Sequence, residues 1–368
     1  MSMLDRGWIG ALLGRGGASI TVPTLDGAMR PNNKLEDAAV FAELAGVDDL
    51  AVDDGALFAS AGHQVFRLET GGHEVIASFD CAISCLANAP GGGLAVGLED
   101  GGLQVISGPH QGFSMPGDGS LGLSCPVAAS PRDENVLIVA EGSTRNKATE
   151  WTRDLLEKKP SGRLVAVDVS ASGGKADVLA TGLAYPHGIA IDDGEVIYSE
   201  SWRHRLMATS VAGGEHRELL GHLPGYPGRL SAASDGGYWL SVFAMRTQLL
   251  EFVLGEDEFR HRMLTVVSPE HWIAPALVSR ENFLDPLQAG GVKQLGIKKP
   301  WAPPRSYGLV VRLDASLHPV FSLHSRVGGQ RHGITSVVEM ADALYVASLG
   351  SGAVLRLGSD ELEGAQWQ

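Results

Sequence analysis

The feature that most constrains the fold is a degenerate repeat of short apolar strands joined by turn residues. Residues 50–60 (LAVDDGALFAS) form the first unit, and related units start at residues 86, 128, 189, 231 and 337, so the spacings are 36, 42, 61, 42 and 106 residues. Three of these spacings lie near the roughly 40 residues of a four-stranded propeller blade. Six blades that close into a ring leave no long free sheet edge. The repeat therefore predicts an all-β fold, a single six-bladed β-propeller.

The glycine content supports the same prediction. The chain contains 48 Gly among 368 residues, and Gly inside a helix costs about 1 kcal/mol relative to Ala. Tight turns between strands accept Gly readily, and the repeat units are interrupted by D-D-G, P-G-G-G and D-G-G. These triplets predict hairpins within the blades.

The long spacings contain two insertions. Residues 144–161 (TRNKATEWTRDLLEKKPS) predict a short helical insertion in blade three, because apolar residues lie four apart among charged ones. Residues 268–307, which include Trp272, Trp301 and the stretch KKPWAPPRSY, predict a lid between blades five and six. Residues 247–254 (TQLLEFVL) are expected to form a strand of blade five.

The remaining segments complete one domain, residues 1–368. The N-terminal segment, residues 1–45, is expected to contain the strand that completes the last blade. Such a strand would close the ring by pairing the two ends of the chain within one sheet.

Charge and cysteine content limit the expected partners. Lys plus Arg number 29 against 43 Asp plus Glu, a net charge of −14, so no nucleic-acid partner is expected. The apolar patch at residues 8–13 is too short for a signal segment or a membrane span. Cys81, Cys85 and Cys125 are too few for a disulfide framework. We expect a cytoplasmic monomer or small homo-oligomer that acts on a small molecule, with no membrane partner.

Familiar catalytic motifs such as G-x-S-x-G, H-E-x-x-H and the Walker loop do not occur in the sequence. Three other stretches are distinctive: residues 142–168 with WTRDLLE, residues 182–207 with YPHGIAIDDGEVIYSES, and residues 223–242 with LPGYPGRL. They resemble segments of the strictosidine synthase-like family. That family shares its six-bladed propeller with the gluconolactonase and senescence-marker-protein family. The resemblance extends over roughly residues 26–358.

The resemblance implies two kinds of chemistry. One is hydrolysis of lactones, esters or phosphotriesters at calcium or another divalent ion, and the other is metal-free joining of an amine and an aldehyde. The family's metal ligands correspond here to Asp48, Cys125 or Pro126, His187 and Gly228. Calcium takes 6–8 oxygen ligands, which this set does not supply. We therefore expect no cofactor, with Asp48 and His187 as ligands if another divalent metal binds.

Two histidines and an aspartate are predicted to be catalytic. The resemblance places His332, in Q-R-H-G-I-T, at or within one residue of the acid–base Glu of the plant enzymes. His187 would face the same channel mouth, and Asp48 or Asp49 would orient one histidine. Histidine has an unperturbed pKa near 6.5 and exchanges protons at neutral pH. The predicted catalytic residues are His187, His332 and Asp48.

Other residues are predicted to bind the substrate. Arg229 and Arg331 lie beside the mapped mouth positions and could hold a substrate carboxylate through paired hydrogen bonds. The family's strand Glu corresponds to Glu200, and aromatic residues could form a wall. The predicted substrate-binding residues are Tyr226, Arg229, Arg331, Glu200, Trp202 and Trp272.

These observations together predict a small-molecule enzyme at the channel mouth. The leading prediction is a metal-independent hydrolase or lyase of a lactone, ester or related substrate, working by histidine-centred acid–base catalysis. A Pictet–Spengler-type synthase, a metal-dependent lactonase with altered ligands and a non-catalytic small-molecule-binding propeller are the alternatives.

Overall fold

The strands form six four-stranded antiparallel sheets. The computed structural model describes residues 22–117, 122–170, 174–278, 293–294, 297–298 and 306–363. Each sheet is one blade, so the predicted six-bladed β-propeller is confirmed. No helix among these described residues is long and apolar enough to span a membrane.

The blades follow one another along the chain, each beginning with its innermost strand. Helix α1 (Lys34–Asp37) and strand β1 (Ala39–Glu43) come first. Blade one contains β2 (Val47–Asp53), β3 (Ala56–Ala61), β4 (Gln64–Glu69) and β5 (Gly72–Ser78), and blade two contains β6 (Ile83–Asn88), β7 (Leu94–Leu98), β8 (Gly102–Val105) and β9 (Ser114–Pro116). Blade three contains β10 (Pro126–Pro131), β11 (Val136–Glu141), β12 (Gly162–Asp168) and β13 (Lys175–Leu183).

The second half of the ring repeats this order. Blade four contains β14 (Pro186–Asp192), β15 (Glu195–Glu200), β16 (Arg205–Ser210) and β17 (Arg217–Leu220). Blade five contains β18 (Gly225–Ala232), β19 (Tyr238–Met245), β22 (Gly308–Leu313) and β23 (Pro319–Ser325). Blade six contains β24 (Ile334–Met340), β25 (Ala343–Ser348), β26 (Ala353–Gly358) and β1, and α5 (Ser359–Glu363) follows it.

Glycine turns connect the inner strands of the blades. Between β2 and β3, Asp54 and Gly55 have φ angles of 46° and 71°, and between β14 and β15, Asp193 and Gly194 have φ angles of 42° and 76°. Two consecutive positive φ angles are typical of a type I′ turn, whose twist matches that of the flanking strands. The D-D-G triplets of the sequence are therefore hairpin turns.

Strand β1 closes the ring by pairing with β26. Ala39 lies opposite Arg356, and Glu43 lies opposite Ala353. Blade six thus contains strands from both ends of the propeller.

Apolar layers join neighbouring blades. Val310 and Leu323 of blade five share a cluster with Leu344 and Leu355 of blade six, and all four are 0% exposed. Burying a side chain of this size contributes about 1.5–3 kcal/mol, so the layers between blades carry much of the stability of the ring.

Two segments depart from the four-strand repeat. Helix α2 (Trp151–Glu157) lies between β11 and β12 of blade three. In blade five the chain leaves the sheet after β19 and forms α3 (Gln248–Gly255) and α4 (Asp257–Val266). It returns to the sheet at β22.

The prediction of a strand at residues 247–254 is wrong. Thr247 caps α3, since its Oγ1 accepts a hydrogen bond from the Leu250 backbone N–H at 3.2 Å. Leu250 and Val253 are buried on one face of the helix. A short apolar run suits a buried strand and a buried helix face equally well, and its sequence alone does not distinguish them.

The predicted lid between blades five and six consequently lies within blade five. Residues 268–307 fall between β19 and β22 of the same sheet, because the third strand of that blade comes after them. Residues 279–305, with Trp301, lie outside the described part of the chain except for the hairpin of β20 (Lys293–Gln294) and β21 (Ile297–Lys298). Residues 1–21 of the predicted N-terminal segment also lie outside it.

Candidate functional site

A β-bulge lies near the start of every innermost strand. The residues that the pairing with the second strand skips are Asp48, Ser84, Val127, His187 with Gly188, Gly228 with Arg229, and Thr335. A bulge leaves its extra residue unpaired and redirects the side chain. One bulge residue from each blade lines a single cavity at the channel mouth: Asp48, Ser84, Val127, His187, Arg229 and Thr335. The six bulges therefore build the candidate site.

The mouth cavity is small and largely apolar. Its volume of about 240 Å³ lies below the roughly 300–1,000 Å³ of pockets for drug-sized ligands. Its apolar lining consists of Ala82, Ile83, Val127, Ala148, Trp151, Tyr185, Phe243, Leu277 and Leu349. Trp151 comes from α2 and Leu277 from the insertion of blade five, so both insertions cover the mouth. The cavity suits a small apolar molecule.

Tyr185 forms the centre of the aromatic wall. Its φ of 58° is unusual for a bulky residue and implies local strain that the surroundings must offset. The ring stacks on Trp202 with centroids 4.5 Å apart, and Trp202 donates its Nε1–H to Asp154 Oδ1 at 2.8 Å. The predicted substrate-binding residue Trp202 therefore supports the wall from behind and does not line the cavity.

His187 lines the cavity between two of these rings. It stands edge-to-face against Tyr185 and Phe243, with centroids at 5.6 and 5.0 Å. Its Nδ1 is buried and has no hydrogen-bond partner among the described residues. Burial, with the nearby charge of Arg229, holds the pKa of His187 well below its usual range. The imidazole is therefore neutral at pH 7 and offers one donor and one acceptor.

Arg229 forms the floor of the cavity. Its Nη2 donates to Asp48 Oδ2 at 2.7 Å, and its Nε lies 3.0 Å from Asp49 Oδ2. All five N–H groups of a guanidinium are bonded within the protein here. The structure does not support the predicted grip of Arg229 on a substrate carboxylate, because these donors already have acceptors within the protein.

Asp48 and Asp49 lie on opposite sides of this floor. Asp48 lines the mouth cavity, whereas Asp49 lines a second cavity of about 260 Å³ deeper in the channel. Burial raises the pKa of Asp49 to about 6, with Arg229 opposing the rise and Asp48 adding to it. Of these two aspartates, Asp48 is the one that lines the mouth.

The side chains at the mouth do not fit a divalent metal. Of the two carboxylates that line the cavity, Asp48 and Glu99, Asp48 already pairs with Arg229 through Oδ2, so too few oxygens remain for the 6–8 ligands of calcium. Gly228 has no donor side chain, and burial raises the pKa of the Cys125 thiol to about 12, so no thiolate is available. No group of three or more His, Cys, Asp or Glu side chains within the described part of the chain could hold a metal.

His332 does not line the mouth cavity. Its Nδ1 lies 2.9 Å from Ser306 Oγ, its Nε2 lies 3.1 Å from the Arg326 carbonyl oxygen, and the residue is 1% exposed. Thr335, three residues later, takes the cavity position in blade six. The structure thus does not bring His332 together with His187, because His332 precedes β24 and the bulge of that strand places Thr335 at the mouth.

Glu200 and Arg331 are also bonded elsewhere. Glu200 is 0% exposed and forms ion pairs with Arg203 at 2.8 Å and Arg205 at 2.5 Å. The Arg331 backbone N–H donates to Glu36 Oε2 at 3.2 Å, and the residue is not part of the cavity lining. Neither residue lines the mouth cavity.

Tyr226 and Trp272 belong to a buried cluster behind Phe243. Trp272 donates its Nε1–H to the Val267 carbonyl oxygen at 2.8 Å, and Tyr226 is 0% exposed. Both support the insertion of blade five, and neither lines the cavity.

Several cavity residues were not predicted as site residues. Ser84 and Thr335 carry no distinctive sequence signal, because only the bulge makes them part of the site. Trp151 lies in the WTRDLLE stretch, and Tyr185 directly precedes P-H-G. These two aromatic residues stand within the motifs already singled out and could have been found there.

The chain aligns with curated proteins over most of its length. No known family profile matches it. Protein STRICTOSIDINE SYNTHASE-LIKE 6 of Arabidopsis thaliana is 23% identical over 292 residues, which cover 76% of this chain and 70% of that protein. This chain is similar to the strictosidine synthase-like proteins. The predicted resemblance is confirmed.

Two further relatives match shorter parts of their own length. Adipocyte plasma membrane-associated protein of Bos taurus is 25% identical over 273 residues, which cover 66% of each chain. STRICTOSIDINE SYNTHASE-LIKE 10 of Arabidopsis thaliana is 25% identical, and the match spans 48% of its length. The chain thus spans between about half and about two thirds of these two relatives.

Solved structures show the same fold. Regucalcin from Agrobacterium tumefaciens, described as a calcium-binding protein, superposes with a TM-score of 0.51 at 12% identity and covers 87% of this chain and 93% of its own. A gluconolactonase candidate superposes with a TM-score of 0.52, also at 12% identity, over 87% of this chain and 91% of its own. At these identities the likeness is one of fold.

Proposed function

We propose that the protein is a small-molecule enzyme that works in the mouth cavity without a metal, as a hydrolase or lyase of a lactone, ester or related substrate. The observation that carries this proposal is that neutral His187 and the Asp48 carboxylate line one small apolar cavity. The similarity to strictosidine synthase-like proteins supports a small-molecule substrate.

The charges around the cavity favour a substrate without negative charge. Asp48 and Glu99 line it, and the charge of Arg229 is balanced by Asp48 and Asp49. Burying an unpaired charge is costly, and an anionic group would find no free donor on Arg229. A neutral or positively charged molecule fits these charges.

His187 and Asp48 would share the proton transfer. In a hydrolysis, His187 takes a proton from the attacking water and returns it to the leaving oxygen, so the imidazole ends neutral. Arg229 holds Asp48 Oδ2, and Oδ1 is the acceptor that we assign to the water or the substrate. The apolar wall limits access of other water and strengthens these hydrogen bonds.

Two substitutions test this proposal. His187→Gln and Asp48→Asn should each lower the kcat on a panel of neutral lactones and aryl esters by about 10²–10⁴-fold, the usual contribution of general acid–base catalysis. Ligand binding, followed by intrinsic tryptophan fluorescence, to which Trp151 of the cavity lining contributes, should change little. The exposed residues His261 and Asp342 provide matched controls, His261→Gln and Asp342→Asn. Unchanged rates in both site variants would refute the proposal.

Joining of an amine to an aldehyde is a second candidate. The aromatic wall and the carboxylates of Asp48 and Glu99 suit a protonated aromatic amine, since cations are attracted to aromatic faces. Phenethylamine, phenethyl alcohol and 3-phenylpropanoate share one aromatic body and differ in charge. Preferential binding of the amine would favour this candidate, whereas equal binding of the amine and the alcohol would favour the neutral-substrate hydrolase or lyase.

A further inference from the structure

Arg229 divides the central channel. The side chain starts at the bulge of β18 in blade five and is 7% exposed. It lines the mouth cavity on one side and the deeper cavity of about 260 Å³ on the other. Its guanidinium therefore lies at the level where the channel changes from one cavity to the next.

The guanidinium of Arg229 donates hydrogen bonds to oxygen atoms of four other blades. Its Nε donates to the Val127 carbonyl oxygen at 3.1 Å, and its Nη1 donates to the carbonyl oxygens of Asp48 at 3.2 Å and Thr335 at 3.3 Å. Its Nη2 donates to Asp48 Oδ2 at 2.7 Å and to the Ser84 carbonyl oxygen at 2.8 Å. These acceptors lie on the innermost strands of blades one, two, three and six.

Two carboxylates balance the charge of Arg229. Asp48 Oδ2 lies 2.7 Å from Nη2, and Asp49 Oδ2 lies 3.0 Å from Nε. A buried ion needs such partners, and removing one member leaves the others uncompensated. The two aspartates raise the pKa of Arg229 above its ordinary value against the effect of burial, so the side chain stays charged.

The acceptor oxygens around Arg229 are arranged to suit a planar guanidinium group. They are held by three different nitrogen atoms at ordinary hydrogen-bond distances, whereas calcium gathers its oxygens around one point at 2.3–2.6 Å. A guanidinium presents five N–H groups in a fixed plane. The set of acceptors around Arg229 suits that shape.

We infer that the Arg229 guanidinium is the resident cation of the propeller channel and that the acceptors around it fit this guanidinium and not a divalent metal. The guanidinium joins the innermost strands of four blades to its own and compensates Asp48 and Asp49. This inference deepens the metal-independent part of the proposed function. The test of this inference measures stability and needs no substrate. The inference can therefore fail while the proposed roles of His187 and Asp48 hold, and those roles can fail while the inference holds.

Thermal unfolding of Arg229→Ala tests the inference. The Tm should fall by about 5 °C, because removing one partner of a buried ion pair costs several kcal/mol in a chain of this length. Millimolar guanidinium chloride should raise the Tm of this variant by about 2 °C over sodium chloride of equal ionic strength, since a ligand that binds only the folded state stabilises it. Wild-type protein should show no rise with guanidinium or with calcium chloride.

Arg217→Ala is the matched control. Arg217 is an exposed arginine paired with Glu195 on the surface of blade four, and its loss should leave the Tm and the guanidinium response as in the wild type. Stoichiometric calcium in wild-type protein purified without chelator would overturn the inference. An unchanged Tm in Arg229→Ala, or a variant that guanidinium does not restore, would overturn it as well.

If Arg229→Ala does not fold, two other variants of the same residue test the inference. Arg229→Lys keeps the positive charge, and Arg229→Met keeps a stem of similar length without charge. The inference expects the lysine variant to melt several degrees above the methionine variant. A methionine variant that is equally or more stable would show that packing, and not the cation, is what Arg229 supplies.

Discussion

Asp154 connects helix α2 to the aromatic wall of the cavity, and its removal should weaken both. The residue is 3% exposed and accepts hydrogen bonds from Asn146 Nδ2 at 2.9 Å and Trp202 Nε1 at 2.8 Å. Asp154→Ala removes the acceptor of both donors, at about 1–3 kcal/mol each, and Asn146 Nδ2 keeps only its longer contact with Glu157 Oε2 at 3.4 Å. We expect a loss of about 3 kcal/mol in the free energy of unfolding.

The corresponding change in Tm follows from the length of the chain. An unfolding entropy of about 2.1 cal/mol/K per residue gives about 0.77 kcal/mol/K for 368 residues, so the Tm should fall by about 4 °C. Near-ultraviolet circular dichroism should also change, because Trp202 loses its anchor and stacks on Tyr185.

The measurement is thermal unfolding of Asp154→Ala beside Asp177→Ala. Asp177 lies in the same blade, and its ion pair with Lys175 is exposed, so its loss should cost well under 1 kcal/mol. Asp154→Asn keeps one acceptor and should fall between the two. If Asp154→Ala melts within 1 °C of the Asp177→Ala control, about a quarter of the expected shift, the assignment of Asp154 as an anchor is wrong.

Two further predictions concern pH. Because the pKa of His187 is held well below its usual range, activity that needs the neutral imidazole should persist as pH falls through 6.5 and decline only at more acidic pH; a decline centred near 6.5 would contradict this. Asp49, whose pKa burial raises to about 6 from about 3.9 in unfolded chains, contributes stability below pH 4 that is lost as pH rises through 6. Urea unfolding of wild type and Asp49→Asn should diverge across that range, and parallel curves would refute it.

The sequence was sufficient to predict the ring of blades. The D-D-G turns, such as Asp54 with Gly55, mark hairpins through local backbone preferences that do not depend on the rest of the fold. Alternation of apolar residues around these turns defines strands with one buried face. Both signals are local, so the strands around them could be predicted.

The candidate site could be predicted only in part. Asp48, His187 and Arg229 line the cavity, but a bulge depends on how two strands pair, and the pattern of residues does not reveal it. For this reason His332 was assigned the place that Thr335 takes. The surroundings of Arg229 could not be foreseen either, because four of its five hydrogen-bond acceptors are backbone oxygens, one from each of four other blades.

The pairing of β1 with β26 has a consequence for the order in which the protein can assemble. Ala39 and Arg356 must meet across most of the chain, and contacts between such distant residues form slowly. Arg229 bridges blades one and six, so the floor of the cavity is complete only when the first and last blades lie side by side. A chain lacking residues 1–45 would retain every residue that lines the cavity, since the first is Gly46, and yet would lack the strand that completes blade six.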